Sequence, residues 1–428
     1  MQHKKYFLTP LILVAFFPIL KMAPVSLSIV LSVLISLLYF ILNKSKLSKE
    51  EKRRNVKWFF ISTGFYFWLL FSLFYSSSKE KGIEELQHSL SLLLFPLIVF
   101  VFIDFIPKKI INNINICFVA ANVFLAIFLS YTFYVEGVFN STSETTFYNL
   151  PFREALTKVK FNDYHPTYIS LWFSYSFLFL LNLQINKGRN LSRYTNLLIV
   201  IIKLFFLGFI IVLSSRIVQL SFIVALIIFL LLEINKIKTK IIFISSILLI
   251  TILLVTKVSF FKSRFIDEYK ATELSAPIGD KHNSINIRVG TYICSIEVIN
   301  SNLLFGVGVG SVQKALNSCY NNFNTDVYKN TTYNSHNYYF HMVMASGIIG
   351  VVLLLILLYK TLKTGIKAKN SLYVSFVVLI IISLLSENIF VRIHGVLFFA
   401  FFNSLFIKEI IQNSTKSIDN SNNSFIQR

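Results

Sequence analysis

The chain has 428 residues, 55% of them hydrophobic and only 14% charged, with 41 Lys and Arg against 20 Asp and Glu for a formal net charge of +21. The apolar residues arrive in long unbroken runs, which excludes a water-soluble core; a bilayer interior of about 30 Å needs about 20 mostly apolar residues per crossing, and the backbone there must be helical. The basic residues lie in short loops between these runs, as in cytoplasmic loops that meet anionic lipid headgroups, so membrane lipids and not nucleic acid are the expected partner of the charge.

Lys4 and Lys5 precede the first apolar run, and a second run begins at Pro24 with no cleavage site or soluble domain between them. This predicts a retained first helix and not a removed signal peptide. In chain order the spans are read at residues 7–20, 24–42, 58–75, 89–106, 114–135, 166–185, 195–214, 217–233, 241–258, 336–359, 371–385 and 389–407. The fold class is therefore an all-α polytopic membrane protein of about twelve transmembrane helices, one helical domain over residues 1–411. With a cytoplasmic start, every short basic loop falls inside: residues 44–57, Lys108 with Lys109, and residues 187–193, 236–240 and 360–369. Two outer loops remain at 136–165 and 259–335, and the polar stretch 412–428 is expected to be a disordered cytoplasmic tail.

The second outer loop is rich in Asn, Tyr, Thr and Ser, which suits hydroxyl-rich ligands and equally suits an ordinary solvated loop. The apolar stretch 197–232 is too long for one crossing, so the chain turns at Ser214, Ser215 and Arg216, leaving Arg216 at the outer membrane surface either to bind an anion or to reach headgroups. Lys203, inside the seventh span, reads as a lysine that snorkels or is paired internally. Farther on, Arg288 heads an amphipathic stretch that ends in Gly306, Gly308 and Gly310. No strand, turn and helix unit surrounds these glycines, so they read as a turn or a close backbone approach and not as a nucleotide loop.

The tenth span opens with NSHNYYFHMVMASGIIG, in which Asn334 or Ser335 is the expected cap and His336 falls in the first turn. At about 100° per residue, Gly347 and Gly350 return close to the His336 face and would admit a neighbouring helix, while Tyr338 and Tyr339 read as interface-belt residues. A histidine at a helix N-terminus near an arginine stays neutral, fit for a general base or simply for hydrogen bonding a neighbour. His165, ahead of Pro166, and the group Glu387, Arg392 and His394 are further outer-side candidates, with Arg392 able to hold an anion. No Cys or His spacing specifies a metal and no serine-nucleophile motif occurs, so no metal and no cofactor are expected. Cys294 and Cys319 share the outer loop and can pair, whereas Cys117 lies in a span.

His336, Asn337, Gly347 and Gly350, the SSRIVQL turn at Arg216, Arg288 ahead of the GVG turn, and the closing ENIFVRIHGVLFFAFFNSLF together resemble the O-antigen ligase and polymerase superfamily over about residues 195–406. The resemblance implies a glycosyltransferase of the bacterial inner membrane, with its active site facing the periplasm. It would move a glycan from undecaprenyl diphosphate to a hydroxyl of an acceptor glycan such as lipid A-core. Arg216 and Arg288 would correspond to the diphosphate-binding arginines and His336 to the residue that activates the acceptor, with Asn337, Arg392, His165 and Glu387 as substrate-binding candidates. A diphosphate leaving group carries its own activation, so cations that offset its charge and a base suffice without a metal. Within that family a ligase, a repeat-unit polymerase and a protein glycosyltransferase all remain open. A polysaccharide flippase is the reading from a different class, and it would put functional charges near the bilayer midplane.

Overall fold

The computed structural model describes residues 7–43, 45, 47–138, 152, 155–156, 165–270, 272, 274–280 and 282–426. Most of the outer loop 136–165 lies outside these residues. The described chain is helical, with α1 Thr9–Val14, α2 Met22–Leu42, α3 Lys49–Ser72, α4 Lys79–His88, α5 Ser91–Phe102, α6 Lys108–Val135, α7 Pro166–Lys187, α8 Arg193–Val212, α9 Arg216–Glu233 and α10 Ile237–Lys257. After residues 259–270 come α11 Ser284–Ser301, α12 Val312–Tyr320, α13 Tyr338–Lys367, α14 Ser371–Ser383 and α15 Ile393–Ile426.

Eight of these helices are long and apolar enough to cross a bilayer, and α4 with α5, bent by 45° between them, makes a ninth if taken as one span. This differs from about twelve at four places, one of them the expected span 58–75, whose helix α3 is not among the eight. The expected first span holds only the six helical residues of α1, because turns follow Val14 and the stretch folds into the protein with Leu11, Val14 and Phe17 buried. At α4 and α5 the chain turns at residues 89–90, and π-type turns follow Pro96, which lacks an N–H and crowds the carbonyl four residues before it. α14 has only 13 residues, and most of them are buried against the rest of the bundle. The stretch from 412 on is helical through Ile426 and not a structureless tail; no Gly or Pro interrupts it.

An aromatic core fills the middle of the bundle, with Phe118, Tyr175, Phe376, Phe398 and Phe402 in mutual ring contact. Large apolar side chains such as Leu34, Phe74 and Phe124 face outward, where a bilayer and not water accommodates them. The basic loops gather at one end. Glu233, which closes α9, accepts from Ser371 at the start of α14; Lys108 pairs with Glu409 at 3.7 Å; and Ser45 donates to Asp104 at 2.9 Å. Arg216, His336 and Glu387 belong to the opposite helix ends.

α13 is not one straight rod. At Ser346 and Gly347 the backbone leaves the helical region, with φ +71° at the glycine. A Cβ on Gly347 would collide with the carbonyl of Leu304, so only glycine lets residues 303–307 come this close. That segment occupies the backbone groups that the break frees: Ile348 N–H donates to Leu303 O at 2.9 Å and Val307 N–H to Met344 O at 2.7 Å, while Trp68 Nε1 donates to Ser346 O at 2.8 Å. The expectation that Gly347 and Gly350 admit a neighbouring helix is thus corrected. An irregular strand of backbone is what approaches Gly347, and Gly350 faces the Ser346 side chain of its own helix.

The glycine turn docks in a similar way. Val309 N–H and Gly310 N–H donate to the hydroxyls of Ser72 and Ser76, each at 3.1 Å, and Ser311 hydrogen bonds Ser76 and Ser77. Nearby, the buried His341 Nε2 meets Glu85 Oε1 at 2.6 Å, which ties α4 to α13. Cys294 and Cys319 form a disulfide that joins α11 to α12.

Candidate functional site

Three helix ends bring the charged residues together. α8 ends at Val212, Ser214 takes up φ +51°, and the reversal launches α9 with Arg216 as its first residue. α7 starts beside it, since Thr167 Oγ1 hydrogen bonds Ser215 Oγ at 3.2 Å. His165 caps α7 by accepting from Thr167 N–H at 3.4 Å. α11, opened by a reciprocal capping box of Asn283 and Asn286, carries Arg288 in its second turn.

Arg216 and Arg288 line one cavity of about 300 Å³, together with Phe265, Tyr269, Ser284 and Tyr292. Each guanidinium holds a serine and a carboxylate. Arg216 donates to Ser284 Oγ at 2.6 Å and lies 3.3 Å from Glu268 Oε2. Arg288 donates to Ser386 Oγ at 2.6 Å and lies 3.3 Å from Glu387 Oε1. The other oxygen of Glu387 stands 4.0 Å from His336 Nδ1, so the imidazole joins the group through this carboxylate.

His336 differs locally from the expectation. Asn337, not Asn334 or Ser335, is the N-cap of α13, its side-chain oxygen accepting from Tyr339 N–H at 3.0 Å and Phe340 N–H at 3.1 Å. His336 therefore precedes the helix, with φ +44°, a region that costs a bulky residue on the order of 1–2 kcal/mol. Asn334 Oδ1 accepts from the His336 N–H at 2.9 Å, and Ser335 and Asn388 hydrogen bond each other at 3.1 Å, which holds the turn. Burial, with the positive charges of Arg288 and Arg392 nearby, lowers the ring's pKa from 6.5 to about 4, so it is neutral at ordinary pH. Its Nδ1 makes no hydrogen bond among the described residues.

Of the sequence candidates, Arg216, Arg288, His336 and Glu387 converge, and Arg392 bears electrostatically on His336. Asn337 and His165 spend side-chain acceptors on helix caps. His394 is buried between Tyr168 and Trp172, with ring centroids 6.1 and 5.7 Å away. Tyr338 is fully buried and stacks on His341, which corrects its interface-belt reading. Sequence reasoning missed Glu268, Ser284, Ser386 and Tyr292, since single polar residues in a polar loop carry no spacing signal. Burial raises the Tyr292 phenol above its usual range, so it faces the cavity as a neutral hydroxyl.

Residues 201–355 match the family model described as O-antigen ligase. The chain carries an O-antigen ligase family region. The match spans Arg216, Arg288, His336, Gly347 and Gly350, and the resemblance to the ligase and polymerase superfamily read from those motifs holds. The membrane-length helices are those of a polytopic membrane protein, and its residues 201–355 are similar to the O-antigen ligase family. Glu387 and Arg392 lie beyond the matched residues but within the same site. No curated protein matches the chain.

Proposed function

We propose that the protein transfers a glycan from undecaprenyl diphosphate to a hydroxyl of an acceptor glycan, as an O-antigen ligase does with lipid A-core. The observation that carries this reading is the pair of arginines lining one cavity, with a neutral imidazole reached through the carboxylate of Glu387. Arg216 and Arg288 offset the charge of the diphosphate, and His336 takes the acceptor's hydroxyl proton. The acceptor oxygen bonds to the anomeric carbon as the carbon to phosphate-oxygen bond breaks, and undecaprenyl diphosphate leaves with that electron pair. Direct attack of this kind inverts the anomeric configuration.

The sidedness of the site follows from the same reading. The basic loops collect at the opposite helix ends, which supports a cytoplasmic side there, and the disulfide between Cys294 and Cys319 suits an oxidising compartment such as the periplasm. The charges of the site stand near helix starts and not in the middle of a membrane-length helix, which favours transfer over a flippase mechanism.

The test is transfer by purified protein given a lipid-linked glycan and separate acceptors, with a new glycosidic bond as the expected product. Movement of the lipid-linked glycan across vesicles without bond formation would overturn the reading. A gene deletion then separates the related activities on a gel of surface glycans: bare core marks a ligase, core with a single repeat a polymerase, and loss of glycoprotein alone a protein glycosyltransferase.

A further inference from the structure

Arg216 is paired with a carboxylate of the protein itself. Its Nη1 lies 3.3 Å from Glu268 Oε2, its Nη2 donates to Ser284 Oγ at 2.6 Å, and that hydroxyl donates in turn to Glu268 Oε1 at 2.6 Å. A carboxylate held across a guanidinium has much the geometry of a bound phosphate edge. The pair is about one-fifth exposed on each side, so its exchange for another anion costs far less than breaking a dry ion pair.

The segment that brings Glu268 also builds the cavity wall. Residues 259–270 supply Phe265 and Tyr269 to the lining, and they continue from α10, a 21-residue apolar helix in which no residue is buried. In this wall Glu268 pairs with Arg216 and accepts from Ser284, and next to it Asn283 donates to Thr272 at 2.6 Å. One tie of the wall is thus made at the residue whose partner a donor phosphate would claim.

We propose that Glu268 is a resident counter-ion and latch. It neutralises Arg216 when no donor is bound and yields its place when a lipid diphosphate arrives, which loosens the cavity wall at Glu268 for entry of the lipid. This rests on the reading that Arg216 binds the donor's diphosphate. A diphosphate engages Arg216 and Arg288 together and so outcompetes one carboxylate. Glu268 is a positioning residue acting through Arg216 and touches no reacting atom.

The experiment is equilibrium binding of undecaprenyl diphosphate to the full purified chain. Glu268→Gln is expected to bind it roughly two- to fivefold more tightly, the worth of a partly exposed ion pair. Glu268→Asp returns affinity to the parent value, and Glu268→Gln has no effect in an Arg216→Ala background. Should Glu268→Gln not fold, Ser284→Ala, which removes the hydroxyl that holds the carboxylate, is expected to tighten binding in the same direction. Unchanged or weaker binding in Glu268→Gln, with Arg216→Ala still impaired, overturns the latch and leaves the donor site standing. Unchanged binding in Arg216→Ala removes the donor site itself.

Discussion

Arg288 and His336 share one carboxylate: Glu387 Oε1 lies 3.3 Å from the guanidinium, and Oε2 lies 4.0 Å from the ring Nδ1. Glu387 lies closer to the guanidinium, and the imidazole is neutral with two arginine charges nearby. On the proposed reading, a diphosphate bound to Arg288 would change that balance. Its negative charge offsets the arginine and releases Glu387 toward the ring, so the imidazole becomes a better base as the donor binds.

This relationship predicts two different acid limbs. The neutral ring is the active form, so activity is lost as pH falls through its pKa. For kcat/KM, which reports free enzyme, the limb is expected near pH 4. For kcat at saturating donor it is expected higher, toward the ordinary histidine value of about 6.5. Initial rates across pH at limiting and saturating donor decide it, and a kcat limb at or below that of kcat/KM would contradict donor-driven activation.

Removal of Arg288 probes the same triangle. Arg288→Ala is expected to lower transfer by roughly 10²–10³, as when one donor to a developing anion is lost. It also takes away a charge that depresses His336, so the kcat/KM limb of the residual activity moves up from about 4. Arg216→Ala is expected to lose comparable activity with a smaller shift of that limb, because the lowering at His336 comes from burial, Arg288 and Arg392. Equal limbs in the two variants would separate Arg288 from the imidazole.

His336 also couples folding to pH. Its folded pKa lies below the unfolded value, so the unfolded chain binds the proton first, and stability is lost as pH falls from about 6.5 toward about 4. His336→Asn is expected to abolish transfer yet flatten this part of the stability curve. Asn tolerates the φ of +44° better than most residues, so melting at neutral pH is expected to be no lower than in the parent. Thermal melts at pH 4.5 and 7.5 beside activity assays test both halves.

The helices that span without interruption were the legible part. The apolar run 166–185 becomes Pro166–Lys187 and 217–233 becomes Arg216–Glu233, since a proline start and a polar turn bound them in sequence. Less legible were places where tertiary packing replaces the run of the helix, as at α1 and at the bend between α4 and α5. In the site, the residue types Arg216, Arg288 and His336 stood out, but their partners did not. Glu268 and Arg216 are 52 positions apart, Glu387 and Arg288 are 99 apart, and no local spacing links such pairs. The backbone of His336 was equally hidden, because Asn334, Ser335 and Asn337 are all competent caps and only the fold selects Asn337.

The break in α13 is the last point at which sequence pattern and structure part, and it yields a paired prediction. Gly347 and Gly350 look alike as small residues on one helical face, yet they meet different neighbours. At Gly347 a methyl group would strike the Leu304 carbonyl while the backbone holds φ +71°, so the inserted segment 303–307 must withdraw and its hydrogen bonds to Met344 and Ile348 are lost. At Gly350 the obstacle is the Ser346 hydroxyl, a side chain that can turn if it gives up its bond to Met342 O. Gly347→Ala is therefore expected to cost more than about 3 kcal/mol, from left-handed strain together with two lost backbone bonds, and to leave little folded protein. Gly350→Ala is expected to cost about 1 kcal/mol or less if the serine turns away. Because segment 303–307 follows α11, whose second turn carries Arg288, a partly folded Gly347→Ala protein is also expected to bind undecaprenyl diphosphate poorly. Yields of monodisperse protein and melting points for the two variants, measured side by side, are the check; equal losses at both positions would mean that the break is not held by the approach of Leu304.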